Sequence, residues 1–528
     1  MKLTDILSGN CNAAEWEAKG YEVPRFDIRT VREKTAQEPA WVHFGGGNIF
    51  RAFPAAILND ALNTGKYDRG VIVAETFDFE VIDKAYKPYG NLSLLVSLQS
   101  DGNVGKKVIA SVTEALKADR QFPDWDRLVE IFRKPSLQMI SFTITEKGYG
   151  FNEADLARGL DAVFAMGKVT ALLLERFHAG ALPLTIQSMD NCSHNGDKVK
   201  KGVFAYAERW VADGLAPEAF LDYLKDERKI TFPWSMIDKI TPRPHVKVKE
   251  LLAADGFEDN DYIETEKHTF TAPFVNAEEV QYLVIEDHYT NGRPPLDLGG
   301  ALYTTRETVD QVETMKVTTC LNPLHTAMSL YGCMLGYTLI SAEMQDADLR
   351  SFIQKLGYIE AMLVVTDPGV LNPYEFIGAV INRRLPNPFM TDAPQRIAMD
   401  TSQKLSIRFG ETIKKYIARG LDMDNLVLIP LTLAGYARYL KGVRDDGTPF
   451  EPSPDPLLTE LQAIVAPLEI GKADQDWSCL KQLYSRKDVF GLDLYEAGLG
   501  ERIEGMVREL YAGPGAVRSV LHQYVTAR

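Results

Sequence analysis

The segment ETMKVTTCLNPLH, Glu313 to His325, holds four side chains whose types suit proton transfer at an alcohol. Lys316 opens an apolar helical run. A helix N-terminus and apolar burial both disfavour an ammonium, so a lysine placed there becomes a base near working pH. Glu313 lies one helical turn earlier, where it opposes that shift electrostatically but offers a proton route to solvent. Asn322 and His325 are spaced i, i+3 and share a helix face. An asparagine can donate to a developing alkoxide, a histidine can fix a neighbouring hydroxyl, and Asn191, far upstream, offers a second donor. Taken singly, each residue has a blander use: a helical lysine is usually a solvated charge, and an Asn–His pair is usually a cap and a half-buried ring.

A second chemical signal lies near the N-terminus. Trp41 to Phe44 reads as a buried strand that runs into Gly45-Gly46-Gly47, followed by a helical pattern from Asn48 to a stop at Gly65. Gly70 to Ala74 reads as the next strand, so strand, helix and strand fall within about 35 residues, which is a βαβ unit of a parallel sheet. Small residues in such a turn let the backbone approach a pyrophosphate, and the helix N-terminus adds donors. Gly45, Gly46, Gly47, Asn48 and Ile49 form that turn, although Phe50 stands where GxGxxG has its third glycine. Glu75 follows the second strand, where a carboxylate accepts from the adenosine ribose hydroxyls and repels a 2′-phosphate; this selects NAD over NADP. Asp78 is a weaker choice for the same role. His43, alternating with apolar neighbours, reads as a packed core histidine, and His194 reads as a turn residue.

Strand patterns continue at Val108–Val112, Gln138–Thr145 and Leu184–Ser188, separated by helical patterns to about residue 240. Beyond residue 300, long helical patterns dominate, such as Leu321–Ile340 and Pro394–Arg419. The expected fold is an α/β N-terminal Rossmann-type domain (41–292) after a helical lead-in (1–40), with a mostly α-helical C-terminal domain (293–528). The linker is expected near Asn291-Gly292-Arg293-Pro294-Pro295.

Composition narrows the function classes. A net charge of −15 disfavours nucleic acid as a partner, since a phosphate backbone calls for a basic surface. The five cysteines form no CxxC pair, and no HxxxH or paired-carboxylate pattern recurs at metal spacing, so neither a disulfide framework nor a metal is expected. The N-terminus has no apolar signal region and no run is long enough to span a membrane, which points to the cytoplasm.

The string HFGGGNIFRAF is similar to the nucleotide-binding turn of the mannitol dehydrogenase family, which uses GxGxxxR; Gly45, Gly47 and Arg51 match it. TITEKGYG (Thr143 to Gly150), SMDNCSHNGDKVKKGV (with Asp190, Asn191, Asn195 and Gly196), FPWSMIDKITP, ETMKVTTCLNPLHTA and RIAMDTSQKL (Arg396 to Leu405) resemble further stretches of that family, in order. The resemblance implies metal-independent hydride transfer with NAD between a secondary alcohol and a ketone, and assigns Lys316 as acid/base with Glu313 in support. It places Arg51 at the cofactor and Lys147, Asn195 and Arg396 at the substrate. The WVHFGGGNIFRAF opening and the CLNPLH variant lean toward the hexuronate branch, which implies interconversion of D-mannonate and D-fructuronate by a monomer or weak homodimer. Tagaturonate reduction, a polyol reaction such as mannitol/fructose, and a non-catalytic NAD-binding module remain alternatives.

One departure carries a structural question. In the family, the lysine precedes the asparagine by five positions, whereas Lys316 and Asn322 are six apart. On a regular helix one extra residue rotates a side chain by about 100°. Either Lys316 precedes the regular helix or a bulge absorbs the insertion. The cluster Arg243, His245, Lys247 and Lys249 could neutralise a substrate carboxylate, but reads more simply as a solvated face.

Overall fold

The computed structural model describes residues 1–8 and 12–527, so Cys11 lies outside them. The chain divides into two compact units, residues 1–99 with 103–310 and residues 100–102 with 311–528. The division falls inside a helix and not at the expected linker. Strand Leu302–Thr304 pairs in parallel with Tyr282–Glu286 and so ties the segment after that linker to the first unit. The first 40 residues also belong to the first unit. There Tyr21–Glu22 pairs in parallel with Val104–Ile109, and Trp16 is buried against Tyr21 and Phe257.

The heart of the first unit is a six-stranded sheet. Its strands are β1 (Trp41–Phe44), β2 (Val71–Glu75), β3 (Val112–Lys117), β4 (Met139–Phe142), β5 (Leu184–Ser188) and β6 (Ile230–Thr231). The order is β3-β2-β1-β4-β5-β6, with every pair parallel. This is the doubly wound Rossmann order, whose switch point lies between β1 and β4. Both faces are covered, so the strands are apolar on both sides. Val42, Phe44, Ile72 and Ile140 pack into one core cluster, while Trp41, Val71, Val73 and Met139 pack into the other. His43 is the polar exception on β1. Its ring nitrogens meet Ser141 Oγ at 2.6 Å and Thr143 Oγ1 at 2.8 Å, and the ring stacks on Phe50 at 4.1 Å, as expected of a satisfied core histidine.

Two local expectations change. The strand read at Val108–Val112 is broken: Val104–Ile109 pairs antiparallel with Ser93–Leu98 in a separate sheet, and β3 begins only at Val112. The helix after the glycine turn is two helices, α1 (Asn48–Ala52) and α2 (Pro54–Asn63). Pro54 drives the preceding Phe53 out of the helical region, to φ −130° and ψ −77°.

The second unit is helical, with no strand longer than an isolated bridge among its described residues. The helices that matter here are α3 (Arg306–Met315), of which only the part from Gln311 belongs to this unit, α4 (Asn322–Leu335), α5 (Glu411–Ala418) and α6 (Leu428–Tyr439). Gly336 ends α4 at φ +84°. α4 packs on α6, where Tyr331 donates to the Leu431 carbonyl at 2.8 Å. Gly435 lets the chains meet, since a Cβ there would sit 2.7 Å from the Tyr331 ring. No described helix is long and apolar enough to cross a membrane.

Candidate active site

The carboxyl ends of β1, β2 and β4 frame a cleft of about 600 Å³ in the first unit, at the switch point of the sheet. The glycine turn forms one wall, and its glycines play different parts. Gly45 sits at φ +103°, and a Cβ there would stand 2.3 Å from the Thr143 carbonyl oxygen, so only glycine fits. Gly46 N–H donates to Glu75 Oε2 at 2.7 Å, while its carbonyl accepts from the Tyr86 hydroxyl at 2.9 Å. Gly47 lines the cleft with open space where a Cβ would be, which leaves room for a ligand to lie against the backbone. Glu75 ends β2 as expected. Its carboxylate also organises the turn, with Oε1 accepting the Phe77 and Asp78 amides at 2.9 and 3.3 Å. A carboxylate has about four lone-pair sites, so acceptor capacity remains for ribose hydroxyls. These features fit a dinucleotide. Asp78, the weaker candidate, is buried with Oδ2 accepting from Thr265 Oγ1 at 2.6 Å.

Arg51 acts from inside the fold. Its guanidinium is buried, donating to the Ala272 carbonyl at 2.8 Å, to Asn48 Oδ1 at 2.9 Å and to Thr271 Oγ1. It ties α1 and Asn48 to the strand segment at residues 270–272, so it shapes the turn and does not face the cleft. Ile49 is half-buried against the apolar core.

Across the cleft, the TEKGY turn is organised by Asp190, which the sequence marked only as part of a motif. Its carboxylate accepts Ile144 N–H at 2.9 Å, Thr145 N–H at 3.1 Å and the Tyr149 hydroxyl at 2.5 Å. Those bonds hold Thr145 at φ +65°, a conformation costly for a β-branched residue, and present Lys147 on the cleft wall, exposed. Burial pushes the Asp190 carboxyl above its usual range. Asn191 is exposed on the same unit. Asn195 lies deeper in the fold. It is fully buried, and its amide bridges the Asp190 carbonyl and Ser235 through bonds of 2.9–3.0 Å, so it holds a loop. His194 takes a left-handed turn conformation and stacks on Trp234 at 4.0 Å. In the basic cluster, Arg243 and Lys247 are exposed, and Lys249 pairs with Asp261 at 2.9 Å, which is a solvated face.

In the second unit the Lys316–Asn322 question has a structural answer. Residues Lys316–Cys320 form a π-turn, closed by Leu321 N–H donating to the Lys316 carbonyl at 3.1 Å. The chain then breaks at Leu321, and α4 starts afresh at Asn322. Both alternatives therefore hold: a wide turn takes up the extra residue, and Lys316 precedes the regular helix. Lys316 follows α3 instead of opening a helix, and it is buried, at 5% exposure. Glu313 is half-buried one turn back on α3, and Asn322 is the half-buried first residue of α4.

His325 lies one turn further along α4. Its Nε2 is shielded and has no hydrogen-bond partner among the described residues. Burial pushes the imidazole down to about 3, with Arg408, Arg396, Arg384 and Lys404 acting in the same direction, so the ring is neutral. Arg396 is exposed and paired with Asp392. No group of three or more potential metal ligands gathers among the described residues.

Residues 39–298 match the mannitol dehydrogenase Rossmann domain, and residues 308–511 match the mannitol dehydrogenase C-terminal domain. The chain belongs to the mannitol dehydrogenase family. It is thus an NAD-dependent oxidoreductase of secondary alcohols, whose substrates in this family are polyols or sugar acids. Among members of the family it is 50% identical over 526 residues to the D-mannonate oxidoreductase of Thermotoga maritima, covering 97% of each chain. It is 26% identical to the mannitol 2-dehydrogenase of Cereibacter sphaeroides, over 94% of this chain and 99% of that one. A substrate-free D-sorbitol dehydrogenase structure aligns with TM-score 0.78 at 25% identity, covering 95% of this chain and 97% of that one. A Pseudomonas fluorescens mannitol 2-dehydrogenase complex with NAD and D-mannitol aligns with TM-score 0.67, over 96% and 97%; at 22% identity that likeness is one of fold.

The structure adds cleft residues that sequence reasoning passed over. Phe77, 66% exposed, stands on the cleft with Lys267 Nζ 4.1 Å from its ring centre, and Thr143 and Thr269 line the same space. An aromatic just beyond the acidic end of β2 was the only cue, and in a sequence it reads equally well as core.

Proposed function

We propose that this chain interconverts D-mannonate and D-fructuronate, with NAD bound in the cleft of the first unit. The observation that carries the reading is 50% identity, over 97% of both chains, with a D-mannonate oxidoreductase. NAD held there would supply the hydride acceptor for oxidation of the carbinol carbon, and NADH the hydride donor for reduction of the ketone. Lys316, buried in its wide turn, takes the hydroxyl proton during oxidation and gives it back during reduction, and Glu313 relays that proton to solvent. Asn322 donates to the oxygen as charge develops on it. Neutral His325 offers its unpartnered Nε2 to a substrate hydroxyl. Glu75 accepts from the adenosine ribose, and Lys147 contacts substrate or cofactor at the cleft wall. The free thiols Cys192, Cys320, Cys333 and Cys479 support a cytoplasmic location. We take the working species to be a monomer or weak homodimer, which sedimentation would measure.

The test is a panel of keto substrates with NADH, followed by absorbance: D-fructuronate, D-tagaturonate and D-fructose. Fructuronate should have the highest kcat/KM. Comparable values for fructuronate and fructose would remove the sugar-acid reading, and a higher value for tagaturonate would replace it with the epimeric substrate.

A further inference from the structure

The chain carries a net charge of −15, yet four cations act on one imidazole in the second unit. They differ in how they are neutralised. Arg396 has Asp392. Arg384 is buried within the wide turn Val380–Arg384. Arg408 has no carboxylate partner among the described residues. It lies on another wide turn, Ser406–Gly410, which leads into α5, and its half-buried guanidinium meets only the Thr326 hydroxyl. Lys404, one turn earlier, donates to the carbonyls of Ile397 and Met399 and has no ion pair among the described residues.

This placement is specific. Thr326 is the neighbour of His325 on α4, so the guanidinium stands against the same first turns that carry Asn322 and His325. The turn bearing Arg408 also packs on the Lys316–Cys320 turn, and Thr412 just beyond it donates to the Thr318 carbonyl at 3.3 Å. Burial lowers the Arg408 guanidinium to about 10, with no acidic neighbour to offset it. A desolvated cation without a counter-ion is costly in a folded chain, and an anionic ligand removes that cost. The shielded, unpartnered Nε2 of His325 points independently to a missing polar ligand here.

We propose that Arg408, backed by Lys404, binds the substrate carboxylate and so makes this enzyme select a sugar acid over a neutral polyol. The inference rests on the sugar-acid reading above and names the group that enforces it. In fructuronate the carboxylate is at the opposite end of the six-carbon chain from the ketone, so a carboxylate subsite beside His325 leaves the ketone free to meet Lys316. A guanidinium suits the task because its planar fork binds a carboxylate through two parallel hydrogen bonds, which an ammonium cannot do.

The experiment compares wild type, Arg408→Met and Arg408→Lys in fructuronate and fructose reduction, with thermal midpoints as the control for folding. Arg408→Met should raise the KM for fructuronate about 100-fold, with kcat changed by less than about tenfold, the pattern of a lost ground-state and transition-state anchor. Its kcat/KM for fructose should hold or rise, and Arg408→Lys should fall between. A folded Arg408→Met that keeps its fructuronate KM within about threefold, or loses both substrates equally, overturns the proposal. Should Arg408→Met not fold, Arg408→Lys decides alone: an unchanged fructuronate KM counts against a fork-shaped carboxylate site. If wild type itself does not prefer fructuronate, the failure lies in the sugar-acid reading, and the carboxylate subsite goes with it.

Discussion

The carbonyl of Lys316 accepts the N–H of Leu321, five residues on, at 3.1 Å, where an α-helix would close its ring after four. This bond widens the turn that carries the buried lysine, and the helical conformation is interrupted at Leu321 before Asn322. The phase of Lys316 relative to Asn322 and His325 is therefore set by the wide turn and by the fresh start of α4, not by counting 3.6 residues per turn. Wide turns of this kind are enriched at functional positions.

Replacing that lysine tests its chemistry. Lys316→Ala should leave NADH binding, followed by fluorescence, nearly unchanged and should cut kcat by about 10²–10⁴-fold, the usual worth of a general acid/base. kcat and kcat/KM should fall together, as for an interaction made in the transition state. A small primary amine in the assay should restore part of the rate. Near-normal turnover would move the acid/base role elsewhere, with Lys147 the next residue to replace.

The three glycines of the turn predict contrasting outcomes from one substitution. Gly45→Ala forces a side chain onto a backbone at φ +103° and against the Thr143 carbonyl, so it should cost at least about 1–3 kcal/mol and lower the unfolding midpoint. Gly47→Ala meets no protein atom within 4 Å, so the midpoint should stay put. Its methyl group would instead occupy the cleft, and the Kd for NADH should rise about tenfold, a loss near 1.4 kcal/mol. Equal behaviour of the two variants in both measurements would contradict this division of roles.

What could be read from the sequence follows from where the determinants are local. The order of β1, α1 and β2 was legible because strand patterns, glycines and Glu75 fall within one short stretch, and the helical second half because its periodicity is long. The pairing of Leu302–Thr304 with Tyr282–Glu286, which ties the segment after residue 293 to the first unit, is not legible because no local pattern encodes it. That Asn195 and Arg51 are buried and hold loops is not legible, because polar residues in a motif look alike whether they face a cleft or brace the turn beneath it. Arg408 gave no signal at all: its significance is the lack of a carboxylate partner among the described residues, a property of the folded chain.

Cofactor choice should follow Glu75. In Glu75→Gln the side-chain amide would present N–H to the Gly46 amide or to those of Phe77 and Asp78, leaving donors facing each other. NADH binding should weaken, and removing the negative charge should narrow the NADH-over-NADPH preference by about tenfold, one unit of 1.4 kcal/mol. Separate fluorescence titrations with the two cofactors measure it. A preference unchanged from wild type would show that Glu75 anchors the turn without reading the ribose.

Acid should destabilise the protein through its buried imidazoles. Burial holds His43 well below the ordinary histidine range, and burial with four nearby cations pushes His325 down to about 3. An unfolded chain titrates its histidines near 6.5, so between about pH 3 and 6.5 the unfolded state binds more protons than the folded one. Stability then rises with pH across that window. The contribution of each neutral ring is fully present above about pH 6.5 and is lost progressively as pH falls toward the folded value. His325→Asn removes one such ring without touching His43. Urea midpoints for wild type and variant at pH 7.5 and pH 5 should therefore show a smaller drop for the variant. Carboxylates titrating in the same range are common to both proteins and cancel in the comparison. An identical drop in the two proteins would mean that His325 takes up its proton in the folded state as readily as in the unfolded one, and the neutral ring beside Arg408 would have to be abandoned.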